Sequence, residues 1–291
     1  MVGNNLIVFI FFPAGICWGI RRREGTGALL EKEHVAAVKG VAACFVILGH
    51  LIRALGTRGV ISPLLNSFTV LGGMGVLLFF FVSGYGLFKG YGHRKPGFMF
   101  WRKRIANMLL PFLMIQLFFG GVSMWQNKTP DLGKMLQSSL LDAWFIDVIL
   151  IQYILFFLSW LFSTGNRGRH IFLCFIFSIA IAAVFYFCGY NARWYNGLLL
   201  FPAGMLIAYK EQKIGMFFQD RWYGCLLITG MLFLFFGGIF TYFKGVPLWP
   251  DIAKTLSGIS LCMFVCTVCR KVAIGSEIMR YIGERSLYFY L

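Results

Sequence analysis

The sequence is poor in charged residues: Asp, Glu, Lys and Arg make up 13% of its 291 residues, against about 25% in a typical soluble domain. Hydrophobic residues make up 59% of the chain, and its mean hydropathy is +0.75. A chain in water could not hide this much apolar surface, because its exterior needs polar cover. The composition excludes a soluble globular enzyme and predicts one helical bundle in lipid, with no room for a sizeable soluble domain.

Acidic residues are fewer still, since 11 Asp and Glu stand against 27 Lys and Arg and leave a net charge of +16. A balance of this kind is often a sign of nucleic-acid binding. Here the basic residues lie in short clusters between apolar runs, and no basic and aromatic module stands apart from those runs. We therefore expect no nucleic-acid partner and assign the basic clusters to loops that set the membrane topology.

The sequence also lacks the paired ligands of a metal site. Its eight cysteines lie mostly within apolar runs. Cys266 and Cys269 form a C-x-x-C motif with Cys262 before it, but no second pair of cysteines or histidines follows at a suitable spacing. We interpret these cysteines as small apolar residues of a helix and expect no bound metal.

Apolar runs long enough to cross a bilayer as helices, about 20 residues each, recur along the whole chain. They predict an all-α polytopic membrane bundle of about ten transmembrane segments, and the chain has no internal repeats. The predicted segments are 5–20, 35–55, 67–88, 106–126, 141–163, 170–189, 195–209, 222–243, 252–269 and 278–291.

The distribution of Lys and Arg supports this map. If the first segment runs from outside to inside, 20 of the 27 basic residues fall in inner loops, as the positive-inside rule requires. The first segment carries its basic residues, Arg21 to Arg23, after the apolar run, so we interpret it as a reversed anchor rather than a signal peptide. The last segment, 278–291, is too short to span, and we expect it to be truncated.

Two ionisable residues lie on the second predicted segment, where charge is costly. Lys39 opens the segment and His50 lies deep within it, 11 residues further on. In an α-helix this spacing is about 20° past three full turns and a rise of about 16.5 Å, so both residues face the same way. They could line a path for an anionic cosubstrate from the inside, with the imidazole transferring a proton. Alternatively, Lys39 snorkels and His50 bonds a neighbouring helix.

The third predicted segment ends in Ser83-Gly-Tyr85-Gly86. Small residues in membranes usually allow helices to approach closely. A serine there could also be a nucleophile, but it would need a base within hydrogen-bonding distance. The sequence leaves both interpretations open.

Polar residues at two further places are candidates for a site. Arg102 and Arg104, in a basic loop after the third segment, would bind either phosphates bidentately or anionic lipid headgroups. Asp147 lies beside Trp144 at the outer end of the fifth segment, roughly at the depth of His50. Its carboxylate would orient that imidazole, pair with Arg53, or simply lie in interfacial water.

Together these motifs resemble acyltransferase family 3. The stretch from Lys39 to His50 resembles the first-helix signature of that family, and Gly72 to Phe88, with its Phe-Phe-Val-Ser-Gly-Tyr core, resembles the second motif. Trp101 to Ile105 with Pro111 is similar to the basic stretch and proline that follow. Weaker likenesses lie at 142–145, 152–153, 201–208 and 286–291. The likeness covers roughly 33–291 as one transmembrane domain and leaves 1–32 as an additional membrane segment and basic loop.

The resemblance implies a membrane-bound O-acyltransferase of the cell membrane, multi-pass and bacterial. The cosubstrate would be an acyl-CoA, most often acetyl-CoA, with no permanently bound cofactor. The acceptor would be a hydroxyl of a surface glycan or its lipid-linked precursor. His50 corresponds to the essential histidine of the family, with Lys39 where many members have arginine. Arg102, Arg104 and Lys39 would hold the phosphates of CoA, while Ser83, Tyr85, Trp144 and Asp147 would support the site.

Two rival functions come from other classes. In a transporter or flippase for a glycan or small solute, Lys39, His50 and Asp147 would form a proton or substrate path. In a non-catalytic membrane subunit, His50 would be dispensable.

Overall fold

A computed structural model describes residues 19–23, 28–58, 67–92, 94–127, 144–243, 246–274 and 276–286. The described residues fall into two compact units. Unit 1 contains those up to Lys89 and those from Asn196 onward, and unit 2 contains those between Gly90 and Tyr195.

Unit 1 consists mainly of helices. Its elements are strand β1 (Ile20–Arg22), helices α1 (Lys32–Gly56), α2 (Val70–Tyr91), α7 (Leu200–Tyr209), α8 (Glu211–Asp220), α9 (Trp222–Tyr242) and α10 (Trp249–Lys271), strand β2 (Val272–Ile274) and helix α11 (Glu277–Glu284). A 3₁₀ turn, Ser67–Thr69, leads into α2. The final residues of α2, after Lys89, belong to unit 2.

Unit 2 is helical in its described part. Its elements are α3 (Phe98–Arg104), a π-helical turn (Ile105–Leu109), α4 (Leu110–Asn127), α5 (Trp144–Phe162), α6 (Arg167–Phe187) and a 3₁₀ turn (Ala192–Trp194). Asn166 is the N-cap of α6, since its side chain accepts a hydrogen bond from the Arg169 N–H in the first turn.

Seven helices of the described residues are long and apolar enough to cross a membrane. They are Lys32–Gly56, Val70–Tyr91, Phe98–Val122, Trp144–Phe162, Arg167–Phe187, Trp222–Tyr242 and Trp249–Lys271. Each coincides with a predicted segment, which confirms an all-α, multi-pass membrane fold. The predicted segment at 5–20 lies outside the described residues.

The predicted segment at 195–209 is helical only from Leu200 onward. Residues 195–199 form turns, and α7 adds only ten helical residues, about 15 Å. Asn196 bonds Asp251 at the start of α10, whereas Glu211, just after α7, pairs with Lys89 near the end of α2. Because α2 and α10 run parallel, these contacts lie at opposite ends of the unit.

The last predicted segment takes a different form in its described part. Helix α11, Glu277–Glu284, has only eight residues, with Ile278 and Tyr281 exposed and Met279 and Gly283 buried. The face with Met279 and Gly283 packs along α1, and eight residues are too few to span a membrane. Residues 287–291 lie outside the described part, as does the expected truncation.

Glycines set the packing of α1, α2 and α10. A Cβ atom at Gly49 of α1 would lie 2.8 Å from the Gly72 Cα of α2, and one at Gly75 would lie 2.5 Å from Ala42 O. Helices α1 and α2 are therefore antiparallel with their backbones in contact. Helix α10 runs parallel to α2, since a Cβ at Gly73 would meet Lys254 Cε and a Cβ at Gly258 would meet Leu77 Cδ1, four residues further along both helices.

The basic residues after the first predicted segment are fixed to the end of α10. Strand β1 pairs antiparallel with β2, with Arg21 opposite Ala273. Arg23 donates to Cys269 O at 3.1 Å and to Ala28 O at 2.8 Å, and it forms an ion pair with Glu31. The bond to Cys269 O satisfies a carbonyl that the end of α10 would otherwise leave without a partner.

Candidate active site

Lys39 and His50 lie on one uninterrupted helix, α1. The separation of about 16.5 Å expected from the helical repeat therefore applies to these two residues. Lys39 is about 10 Å from the start of α1, and His50 is about 9 Å from its last residue. Lys39 is half-buried and His50 is exposed. The imidazole forms no hydrogen bond with any other described residue.

The neighbour of His50, Gly49, brings α1 against α2. The backbone contact between Gly49 and Gly72 leaves no side chain between the two helices at this level. His50 thus lies beside a rigid helix crossing rather than in a loop. A reactive group on such an element is held with more precision than one on a loop.

Ser83 does not meet His50. It lies 11 residues beyond Gly72 on α2, about 16.5 Å along the helix axis, at the level of Lys39. His50 therefore cannot serve as the base of a Ser83 nucleophile. Gly84, the next residue, packs directly on the backbone of Phe201, which agrees with the helix-packing interpretation of this motif.

Tyr85 belongs to a polar network at the end of unit 1 where α1 begins and α2 ends. Only 1% of this residue is exposed, and its hydroxyl donates to Glu211 Oε1. The hydroxyl also accepts a bond from Leu30 N–H at 3.3 Å, and Glu211 Oε1 accepts from Leu29 N–H at 2.8 Å. Lys89 pairs with the second carboxylate oxygen of Glu211. Glu211 thereby joins the residues before α1, the end of α2 and the start of α8.

Sequence reasoning missed Glu211 as the centre of this network. The available signal was a single acidic residue between Lys210 and Lys213 in an inner loop otherwise rich in basic residues. Burial alone would raise the pKa of its carboxyl group. The hydrogen bonds from Lys89, Tyr85 and Leu29, with the charge of Lys89, outweigh burial and hold the pKa below its usual range.

We expect Glu211→Gln to lower the free energy of unfolding at pH 7 by about 1–3 kcal/mol, because it weakens charge-assisted bonds to buried partners. The lowered pKa means that the stabilisation is complete above about pH 4.3, the usual value for glutamate, and is lost as the pH falls through the folded-state value. Thermal unfolding of wild type and variant in the same detergent, from pH 7 to about pH 2, measures this difference and its loss in acid.

Glu284→Gln is the matched control, since Glu284 is an exposed glutamate of the same unit. Its unfolding temperature should stay within about 1 °C of wild type, as is usual for a surface change. A Glu211→Gln variant as stable as this control would contradict the structural role of the network.

Unit 2 holds the two arginines predicted to bind phosphates. Arg102 is exposed at the end of α3. Arg104 is half-buried, and its guanidinium lies 5.4 Å from the ring centroid of Phe100 and 5.0 Å from that of Tyr153. Cation–π contacts of this kind fix the side chain of Arg104. Arg102 is therefore the more accessible of the two for a phosphate.

Trp144 and Asp147 lie in the first turn of α5, also in unit 2. Both are half-buried, and the Trp144 ring packs edge-on against Phe145. A carboxylate in the first turn is favourable beside the positive end of the helix dipole. That Asp147 orients His50 or pairs with Arg53 remains a prediction.

The cysteines of the C-x-x-C motif lie on α10. Cys262, Cys266 and Cys269 are buried with free thiols. Among the described residues no group of three His, Cys, Asp or Glu side chains is placed to hold a metal ion.

Comparison with known proteins adds the family. A family model described as an acyltransferase domain, that of acyltransferase family 3, matches residues 35–291. The match begins three residues into α1 and includes both units. No curated protein and no solved structure matches the chain. The family match covers most of the sequence, and the chain is therefore a multi-pass membrane protein that belongs to acyltransferase family 3.

Proposed function

We propose that this membrane acyltransferase moves an acetyl or other acyl group from acyl-CoA to a hydroxyl of a cell-surface or exported carbohydrate. The observation that carries the proposal is the placement of Lys39 and His50 on one unbroken helix that begins at the basic, inner end of unit 1. A soluble, anionic cosubstrate would enter at that end. Such a protein would work in the cell membrane.

The reaction requires a base for the acceptor hydroxyl, and a neutral imidazole at His50 is suited to that task. The hydroxyl oxygen attacks the thioester carbonyl, the new C–O bond forms, and the C–S bond to CoA breaks. The hydroxyl proton passes to the imidazole and then to the thiolate of CoA. In a second route His50 itself takes the acyl group and passes it on.

The cationic residues have separate tasks in this proposal. Lys39, half-buried on α1, would offset charge along the path from the inner face. Arg102, exposed on α3, would pair with a phosphate of CoA, and Arg104 would add to the positive field while its aromatic contacts hold it in place.

We expect Arg102→Ala to raise the KM for acetyl-CoA about tenfold or more, since a charge-assisted bond is worth about 1.5–3 kcal/mol. Lys103→Ala is the matched control, because it removes the same charge from the next exposed residue. Initial rates of CoA release at varied acetyl-CoA concentrations measure both. Equal KM values for the two variants would show that only the general field of the loop matters.

The experiment that tests the function uses the full chain in nanodiscs with radiolabelled acetyl-CoA at pH 7. An extract of envelope glycans from the host cells serves as acceptor, and CoA release and labelled glycan are followed. Turnover that depends on the extract supports the proposal. Absence of both acetyl-CoA binding and turnover would overturn it and favour the transporter.

A further inference from the structure

A second polar cluster lies at the opposite end of unit 1, where α10 begins, which is the predicted outer end. Asn196 Nδ2 donates to Asp251 Oδ1 at 3.1 Å. The Thr255 hydroxyl lies 3.0 Å from both Asn196 O and Asp251 O, and it donates to one of them. Only 3% of Asn196 is exposed. Lys254 is the next residue before Thr255. We name Asn196, Asp251, Lys254 and Thr255 the outer cluster.

The backbone beside the outer cluster is irregular. Residues 195–199 form turns before α7 begins at Leu200. At membrane depth, irregular backbone is tolerated where protein buries it or where it lines a cavity, and such breaks often accompany binding sites. Leu198 is fully buried, and a Cβ at Gly197 would lie 2.4 Å from the Phe80 ring. The turn at 196–199 is therefore packed within unit 1, with Asn196 bonded to α10.

The outer cluster and His50 lie at the same depth. Lys254 is five residues into α10, about 7.5 Å from its start, and His50 is six residues from the end of α1, about 9 Å. Since α10 begins where α1 ends, both residues are about one and a half turns below the outer ends of their helices.

At this depth two adjacent glycines of α2 lie between α1, which carries His50, and α10, which carries Lys254. Gly72 contacts Gly49, the residue before His50. A Cβ at Gly73 would lie 4.0 Å from Lys254 Cε. At this depth α2 therefore contributes only backbone atoms between α1 and the Lys254 side chain.

A largely apolar cavity of about 870 Å³ lies beside α9, and one of its lining residues, Phe240, is in contact with Lys254 of the outer cluster. It is lined by residues of the 3₁₀ turn, α2 and α9, among them Phe68, Met74 and Phe240. The Lys254 ammonium lies 5.7 Å from the ring centroid of Phe240. The volume is within the range of about 300–1,000 Å³ that is common for small-molecule sites.

We infer that Asp251 and Lys254, with Asn196 holding the carboxylate, form the acceptor subsite and direct one sugar hydroxyl toward His50. A polyhydroxylated ring offers both donors and acceptors, which suit a carboxylate and an ammonium side by side. An aromatic ring such as that of Phe240 suits the C–H face of a sugar ring. The inference rests on the proposed function. Asp251 and Lys254 are positioning residues, since the hydroxyl gives its proton to His50 and not to them.

The test measures binding as well as transfer. Wild type, Asp251→Asn and Lys254→Met are placed in nanodiscs, and binding of tritiated envelope glycan extract is measured without acetyl-CoA. We expect each variant to bind at least tenfold more weakly. Asp220→Asn and Lys213→Met make the same chemical changes at exposed residues of α8, and they should bind like wild type. In the transfer assay, the KM for glycan should rise while the KM for acetyl-CoA stays within twofold.

The outcomes separate this inference from the proposed function. Weaker glycan binding confined to the two cluster variants supports the subsite even if no acetyl transfer is found. Equal glycan binding by the cluster variants and controls overturns the subsite even if wild type transfers acetyl groups, and so does absence of wild-type binding. Asp251→Glu, which keeps the charge, should recover part of the binding. If the two cluster variants unfold at a lower temperature and lose rate equally at limiting glycan and at limiting acetyl-CoA, the cluster has a purely structural role. That result would also overturn the inference.

Discussion

Replacement of His50 by alanine should reduce acetyl transfer by about 10²–10⁴-fold, the usual contribution of a general base. The fold should survive the change. His50 is exposed near the outer end of α1, and it makes no hydrogen bond with any other described residue. The unfolding temperature of His50→Ala should therefore match that of wild type within about 1 °C. Initial rates of glycan acetylation and thermal unfolding in the same nanodiscs measure the two quantities.

Leu51→Ala is the control for a truncation at this level of the helix. Leu51 is 50% exposed and adjoins His50. It should keep wild-type activity. Activity of His50→Ala equal to that of Leu51→Ala would remove His50 from the chemistry and favour a non-catalytic membrane subunit.

The same variant distinguishes the two chemical routes. If His50 carries the acetyl group, wild-type protein incubated with labelled acetyl-CoA and no glycan will hold label that His50→Ala lacks. If the imidazole only removes a proton, neither protein will hold label, while glycan transfer still requires His50.

The membrane helices could be predicted because hydrophobicity over 20 residues is a local property. Seven predicted segments coincide with seven described helices. The break at 195–199 could not be predicted in the same way. It depends on bonds from Asn196 to Asp251 and Thr255, which lie 55 and 59 residues further along the chain. Local apolar character indicated a segment there, and tertiary bonds accompany the third of it, 195–199, that is not helical.

The candidate site was predictable only along single helices. The spacing of Lys39 and His50 needs just the helical repeat, and α1 is indeed continuous through both. The relation between Ser83 and His50 depends on how α1 and α2 cross, which the glycine contacts determine. Glu211 was missed for the same reason, because its partners Tyr85 and Lys89 are 126 and 122 residues away. A lone acidic residue in a basic loop is too weak a signal to locate such partners.

The second large effect is expected at Gly84. A Cβ atom there would lie 2.0 Å from Phe201 O of α7, and a Cβ at Gly204 of α7 would lie 2.0 Å from Phe81 O of α2. Each glycine thus faces the backbone of the other helix, which cannot move aside as a flexible side chain would. Gly84→Ala must push α7 away from α2. We expect a loss of about 1–3 kcal/mol or more, the cost of overpacking a rigid contact, together with a lower yield of monodisperse protein.

Gly86→Ala is the matched control for Gly84→Ala. Gly86 lies two residues further along α2, is exposed, and has nothing within 4 Å of an added Cβ. Gly86→Ala should be neutral or stabilise the helix by up to about 1 kcal/mol, because alanine is the better helix former. Thermal unfolding of the two single variants in the same detergent measures the difference. Unfolding temperatures that agree within about 1 °C would mean that α2 and α7 are not in backbone contact. In that case Glu211, two residues after α7, would lose its fixed position beside Tyr85 as well.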